Sequence, residues 1–269
     1  MTWRLPAILA LVAANCLASP IYFWVNDANG IIGEVNPATG AVTLVGNAGV
    51  VLTDIAFSPS GALYGITGTG LYLVNTSTGA AAWIGSLGGG VLTANALAFS
   101  SSGTLYTADS KYLYSVDPHT GMATEIGPTG YASGGDLAFL GGSLYLTTLS
   151  GQLLSLNPST GAGTVIGNLG VANVFGLASP DNIHLYGVAG KSLYSIDVSI
   201  GAATLDTTWA GNAQGLGTAY GETVGPGSGN PSPLVTTVTP EPATLALFGI
   251  GCLLLTVTYR LRGAATTKR

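Results

Sequence analysis

The chain has 269 residues, of which 47% are hydrophobic and 7% charged, against roughly 25% charged in an average soluble domain. Seven lysines and arginines face twelve aspartates and glutamates, for a formal net charge of −5. So few dispersed bases exclude a nucleic-acid partner, because phosphate binding needs clustered lysine and arginine. The 41 glycines and 13 prolines fall short of the share that marks aperiodic disorder. The length therefore suits one large all-β domain or two smaller ones.

The first eighteen residues read as an address. Arg4 supplies a positive start, Leu5 to Ala14 carries no charge, and Cys16-Leu17-Ala18 places small residues at both positions needed for a cut after Ala18. This is the pattern of a secretory signal peptide, residues 1–18. Export to the outside follows as the expectation.

From residue 19 to 222 the sequence repeats with a period near 40. One marker is an apolar strand: Asp54-Ile-Ala-Phe57, Ala96-Leu-Ala-Phe99, Asp136-Leu-Ala-Phe139, Gly176-Leu-Ala178 and Gly215-Leu-Gly217. A second marker keeps phase with it: Asn36-Pro-Ala-Thr-Gly40, Asn75-Thr-Ser-Thr-Gly79, Asp117-Pro-His-Thr-Gly121, Asn157-Pro-Ser-Thr-Gly161 and Asp197-Val-Ser-Ile-Gly201. In each, Asn or Asp opens a turn by accepting a hydrogen bond from backbone two residues on. Proline presets the φ of a type I turn. Glycine closes it in the left-handed region of a hairpin bulge. Short strands flank each turn, and a Leu-Tyr strand (Leu63-Tyr64, Leu105-Tyr106, Leu144-Tyr145, Leu185-Tyr186) precedes it.

Four short strands per roughly 40 residues form a β-propeller blade. The first unit, Ile21 to Gly46, lacks the Ala-Phe strand, and Gln214 to Tyr220 resembles that strand with nothing after it. Joining the two gives an all-β, five-bladed propeller closed by its own N- and C-terminal strands, which removes open sheet edges. These repeats are similar to propeller repeats of many secreted bacterial proteins, a resemblance that implies fold and not function.

Residues 223–239 are rich in Gly, Pro, Ser and Thr and carry no charge, the composition of a linker. Pro240-Glu241-Pro242 follows, then Ala243 to Tyr259 without a charge, then Arg260, Arg262, Lys268 and Arg269. Seventeen residues of helix span roughly 26 Å, the short end of a membrane crossing, and the basic tail holds the C-terminus on the cytoplasmic side. The two prolines keep Glu241 in extended backbone ahead of that helix.

The run from Thr239 to the basic tail resembles the PEP-CTERM sorting domain of Gram-negative bacteria, over residues 239–269. The resemblance implies recognition of Pro240, Glu241 and Pro242 by an exosortase, anchoring in the inner membrane by the helix 243–259 before processing, and a final place at the cell surface or in the extracellular matrix. The cysteines, Cys16 and Cys252, lie in the two end segments, so the part between them enters an oxidising compartment with no thiol.

The repeat region is poor in chemistry. His119 falls in a hairpin turn and His184 at the edge of a strand; both read as surface residues. No nucleophile–base set assembles, no histidine or cysteine cluster has metal-ligand spacing, and glycine-rich pieces such as Gly85–Gly90 lack the lysine of a phosphate loop. No cofactor and no enzymatic activity are expected. Asp54 and Asp136 hold the same place in two blades, where Ala96, with Asn95 one residue early, stands between them. Three uses suit such positions at a propeller axis: bonding to the backbone of the same or the next blade, a hard-cation site such as Ca²⁺ made with Asn95, or a glycosidase-like carboxylate pair. Residues 19–239 hold 11 acids against Lys111 and Lys191, which disfavours anionic partners. The expected function is a non-catalytic surface or matrix module with an extracellular polysaccharide or protein ligand. A polysaccharide hydrolase or lyase and a calcium-binding adhesion module are the alternatives.

Overall fold

The computed structural model describes residues 22–209 and 219–224. Twenty strands fill them: β1 (Phe23–Asp27), β2 (Ile31–Val35), β3 (Val42–Asn47), β4 (Asp54–Phe57), β5 (Leu63–Ile66), β6 (Gly70–Val74), β7 (Ala81–Ser86), β8 (Ala96–Phe99), β9 (Leu105–Ala108) and β10 (Tyr112–Val116) come first. Then follow β11 (Ala123–Pro128), β12 (Ser133–Leu140), β13 (Ser143–Thr148), β14 (Gln152–Leu156), β15 (Gly163–Asn168), β16 (Val174–Ala178), β17 (Leu185–Ala189), β18 (Ser192–Ile196), β19 (Ala203–Thr208) and β20 (Ala219–Val224). They pair into five four-stranded antiparallel sheets: β20-β1-β2-β3, β4 to β7, β8 to β11, β12 to β15 and β16 to β19. The protein is a five-bladed β-propeller, and its first blade borrows its innermost strand from the far end of the chain.

The turn chemistry is as expected. In all five outer hairpins the opening side chain accepts the backbone N–H two residues on: Ala38 to Asn36, Ser77 to Asn75, His119 to Asp117, Ser159 to Asn157 and Ser199 to Asp197. The closing glycines, Gly40, Gly79, Gly121, Gly161 and Gly201, all have positive φ. The His119 N–H, aided by the Thr120 hydroxyl, holds the Asp117 carboxyl below its usual range. Hydrogen bonds from the Ser199 hydroxyl and N–H do the same for Asp197.

The apolar core is divided among the seams between blades. Among the described residues five buried clusters lie one to a seam; that between the first two blades, for example, joins Trp24 and Ile32 to Leu52, Ile55, Phe57, Leu63 and Val74. Three seams share one aromatic contact, between the second strand of one blade and the end of the next blade's inner strand. Trp24 meets Phe57 at 5.3 Å, Tyr64 meets Phe99 at 5.2 Å and Tyr106 meets Phe139 at 5.6 Å. The closing seam uses Phe23 against Tyr186 at 5.3 Å. Edge-to-face pairs of this kind contribute about 0.5–1.5 kcal/mol each beyond the area they bury.

The rim is latched by backbone. Ala81 N–H donates to the Ala48 carbonyl, Ala123 to Leu87, Gly163 to Thr129 and Ala203 to Leu169, at 2.7–3.1 Å. Beside these bonds each outer-strand glycine lies against the next blade's hairpin. A Cβ on Gly46, Gly85, Gly127 or Gly167 would stand about 2 Å from the carbonyl oxygen of Thr78, Thr120, Thr160 or Ile200 respectively.

Two expectations change in detail. The closing strand is Ala219–Val224 and not Gln214–Tyr220; residues 214–218 lie outside the described residues. Its register with β1 pairs Phe23 with Val224 and Asn26 with Gly221, so Gly221 occupies the place of Asp54. The strand also runs two residues past position 222, into the segment read as linker. The reason is length: β1 offers partners as far as Phe23, and pairing continues until they run out. The signal peptide with its cut after Ala18, the motif Pro240-Glu241-Pro242 and the helix 243–259 all fall outside the described residues. Among the described residues no helix is long and apolar enough to cross a membrane.

Candidate functional site at the propeller axis

Every inner strand begins on one face of the ring, called here the entry face, and ends on the other, the exit face. Antiparallel order then puts the five outer hairpins on the exit face. Gly221, Asp54, Ala96, Asp136 and Gly176, which hold equivalent register positions in the five inner strands, ring the axis just below the entry face.

Asp54 and Asp136 have no exposed surface. Asp54 Oδ1 accepts the N–H of Ile55 at 2.7 Å, and Oδ2 accepts that of Leu97, in the next blade, at 2.5 Å. Asp136 repeats the pattern, with Leu137 on Oδ1 and Leu177, in the next blade, on Oδ2, both at 2.5 Å. Each carboxyl therefore ties its own blade to the following one. Backbone bonding, the first of the three uses considered for these positions, is the one the geometry displays.

Asparagines serve two of the three seams the aspartates skip. Asn26 Nδ2 donates to the Leu52 carbonyl at 2.9 Å, joining the first blade to the second. Asn95 Nδ2 donates to the Ser133 carbonyl at 3.3 Å, joining the third to the fourth. Asn26, Asp54, Asn95 and Asp136 thus bridge four consecutive seams. Asn26 was missed in the sequence, though it carried a signal: β1 has a polar residue where β5 has Ile66.

Asn95 thus acts as a donor to backbone. Its Oδ1, the Oδ1 of Asn26 and the Oγ of Ser133 are buried without hydrogen-bond partners. Among the described residues no group of three or more His, Cys, Asp or Glu is arranged to hold a metal ion. Asp54 and Asp136 are brought together but sealed, each oxygen accepting a backbone N–H, and they stand closer than the roughly 5 Å or more that a glycosidase pair keeps. His119 and His184 lie on the surface, each beside an aspartate of its own turn, Asp117 and Asp181.

On the exit side the axis opens into a cavity of about 50 Å³, lined by Phe57, Phe99, Phe139, Ser179 and Thr223 among others. Ser179 stands where three blades carry phenylalanine, and its buried Oγ has no partner. Replacing Ser179 by Phe supplies the missing aromatic partner for Tyr145 and removes an unsatisfied hydroxyl. The expected gain is about 1 kcal/mol, a rise of roughly 2–4 °C in the melting temperature; a fall would mean the seam is already full.

No protein-family model and no curated protein matches the chain. Solved structures do. The chain is similar to a structure from a nidogen/laminin complex, with 14% identity over 77% of this chain and 99% of the other and a TM-score of 0.55. It is similar to a symmetrical protein studied for its de novo evolutionary emergence, with 22% identity, 72% and 95% covered and a TM-score of 0.50. A third is XC5397 of Xanthomonas campestris, a gluconolactonase, with 15% identity, 75% and 80% covered and a TM-score of 0.50. The likeness is one of fold. Proteins so different share a propeller because fold does not fix function.

Proposed function

We propose that this protein is exported and sorted through its C-terminal PEP-CTERM-like segment, and that its propeller acts outside the inner membrane as a non-catalytic binding or scaffold module. The sorting part rests on Pro240-Glu241-Pro242 with the uncharged run and basic tail that follow it, and the observation behind the binding part is the register of the closing strand. Phe23 and Val224 are direct partners across β1 and β20, and both sit at the exit face. The chain therefore enters and leaves the ring side by side. Both described ends of the ring lie at the exit face, opposite the entry face.

The two faces differ in chemistry. Asp117, Asp181 and Asp197 lie in exit-face turns, while the entry-face turns carry Lys111 and Lys191 together with the buried Asp27 and Asp109. Val51, Leu92 and Leu149 are exposed in entry-face loops, as Met122, Ile183 and Ile200 are in exit-face turns, so charge is what separates the faces. A neutral polysaccharide or a protein ligand suits that charge-balanced surface better than the acidic exit face. The sealed axial carboxyls favour binding over hydrolysis.

The test is deletion of Pro240, Glu241 and Pro242. The variant is expected to stay in the inner-membrane fraction while the unaltered chain is released or transferred to the surface. Release of the variant at the unaltered rate would end the sorting part of the proposal. A glycan array or matrix pulldown then tests the binding part, and binding lost on Leu92→Asp or Leu149→Asp would place the ligand on the entry face.

A further inference from the structure

We infer that Asp54 and Asp136 hold one proton between them at the axis of the ring, and that this shared proton makes the propeller tight in acid and looser in alkali. The geometry begins with Ala96. Three inner strands, β4, β8 and β12, stand in sequence around the axis, and the middle one presents only a methyl group where its neighbours present carboxyls. Across that small side chain the two carboxyls come within hydrogen-bonding reach of each other. Both also reach the same backbone N–H, that of Leu97.

Two ionised carboxylates in contact, with no exposed surface, repel strongly in a medium of low dielectric. Among the described residues no ion pair relieves either of them. The N–H groups of Ile55, Leu97, Leu137 and Leu177 supply enough positive dipole for one negative charge. They do not neutralise two. A proton on one carboxyl turns repulsion into an O–H···O⁻ bond, among the stronger hydrogen bonds available.

Asn26 adds an independent sign. It has no exposed surface, and its Nδ2 is committed to Leu52, which fixes Oδ1 in place as an acceptor without a donor. That Oδ1 and Asp54 Oδ1 both lie within 3 Å of the point where a Cβ on Gly221 would stand. That unpartnered oxygen adds negative potential beside Asp54 from the closing blade, which further disfavours a second ionised carboxyl. The small residues Gly221 and Ala96 leave the room that this cluster needs.

The other titratable groups on the surrounding strands are few. Asp27, on β1, turns its carboxylate to the N–H groups of Asn29 and Ile31 in its own hairpin. Asp109, after β9, accepts from Lys111, Tyr112 and the Tyr114 hydroxyl. Tyr64, Tyr106, Tyr145 and Tyr186 pack in the seams. Tyr220 and Glu222 lie on β20, while β8 and β16 contribute none.

Burial pushes both carboxyls well above their ordinary range. The folded state then binds a proton that the unfolded chain has already released. Stability is therefore fullest at acid pH and is lost as pH rises through the folded value of the pair.

The experiment is thermal unfolding of the full chain in mild detergent. Between about pH 5 and about pH 9 the melting temperature is expected to fall by roughly 5 °C or more. Asp54→Asn and Asp136→Asn each put an amide donor in the proton's place, so each is expected to flatten that dependence whatever its own melting temperature. Infrared spectroscopy of the unaltered chain gives a second reading that needs no variant: a protonated-carboxyl C=O band at neutral pH, lost in Asp54→Asn or, should that variant not fold, in Asp136→Asn. A melting temperature independent of pH, or the absence of the band, would overturn the inference. So would a rise in melting temperature with Ca²⁺ that a chelator reverses and Asp136→Asn removes, since the axial charge would then be met by a cation.

Discussion

Replacing Gly201 by alanine is expected to cost about 3 kcal/mol, while the same change at Gly170 costs about 1 kcal/mol. Both glycines have left-handed backbone, with φ of 78° and 74°, so both substitutions carry the same conformational penalty. They differ in surroundings. A Cβ on Gly170 meets nothing within 4 Å, whereas one on Gly201 stands 2.8 Å from the Gly167 carbonyl carbon and 2.9 Å from its Cα. Those atoms are backbone of the preceding blade and cannot rotate away. The extra loss therefore measures the rim latch alone. For a propeller of this size it corresponds to a fall of roughly 6–12 °C in melting temperature for Gly201→Ala, against roughly 2–4 °C for Gly170→Ala. Circular dichroism melts of the two variants would decide it; equal losses would show that the rim contributes nothing beyond turn geometry.

The latch has a further consequence. The same contact, glycine on glycine, recurs at Gly46–Gly79, Gly85–Gly121, Gly127–Gly161 and Gly167–Gly201, and in the closing seam a Cβ on Gly40 would stand 2.3 Å from the Thr208 carbonyl oxygen. A ring in which every blade leans on the next shares strain among all of them. Damage at one latch is expected to loosen its neighbours, so effects at adjacent seams should not add independently.

Much of this could be read from the residues, because the period rests on turn chemistry. Asn36, Asn75, Asp117, Asn157 and Asp197 accept the predicted backbone bonds, and a local rule of that kind survives any tertiary context. The missing inner strand of the first unit also foretold the closure. Its exact place was not legible. Gly215-Leu-Gly217 matches Gly176-Leu-Ala178 better than Gly221-Glu222-Thr223 does, yet the register is set by the fit of Gly221 beside Asn26 and Asp54, a contact between residues 167 or more apart in sequence. The meeting of Asp54 and Asp136 was hidden for a related reason. Their blades are not neighbours, and only the small volume of Ala96 lets carboxyls from alternate blades touch.

The heaviest loss is expected when β20 is removed. A chain ending at Thr218 keeps the other nineteen strands, but β1 then exposes its inner edge, and β4 and β16 lose the strand that packs between them. The five register pairs of β1 with β20, at about 1 kcal/mol per hydrogen bond, already approach the 5–15 kcal/mol that holds an ordinary domain together. The bare edge is also a template for pairing with other copies. The truncated chain is therefore expected to lose cooperative unfolding and to appear in aggregates, while a chain ending at Ser232, which retains β20, melts in one transition. Calorimetry and light scattering separate the two results. Closure also joins residues some 200 positions apart, so its loop entropy is the largest in the fold and the step belongs late in folding. Pulsed hydrogen exchange should accordingly find the β1 amides protected last. A truncated chain that still melts cooperatively and stays monomeric would mean that the four complete blades stand without the fifth, and that β20 fills a gap in a ring already made.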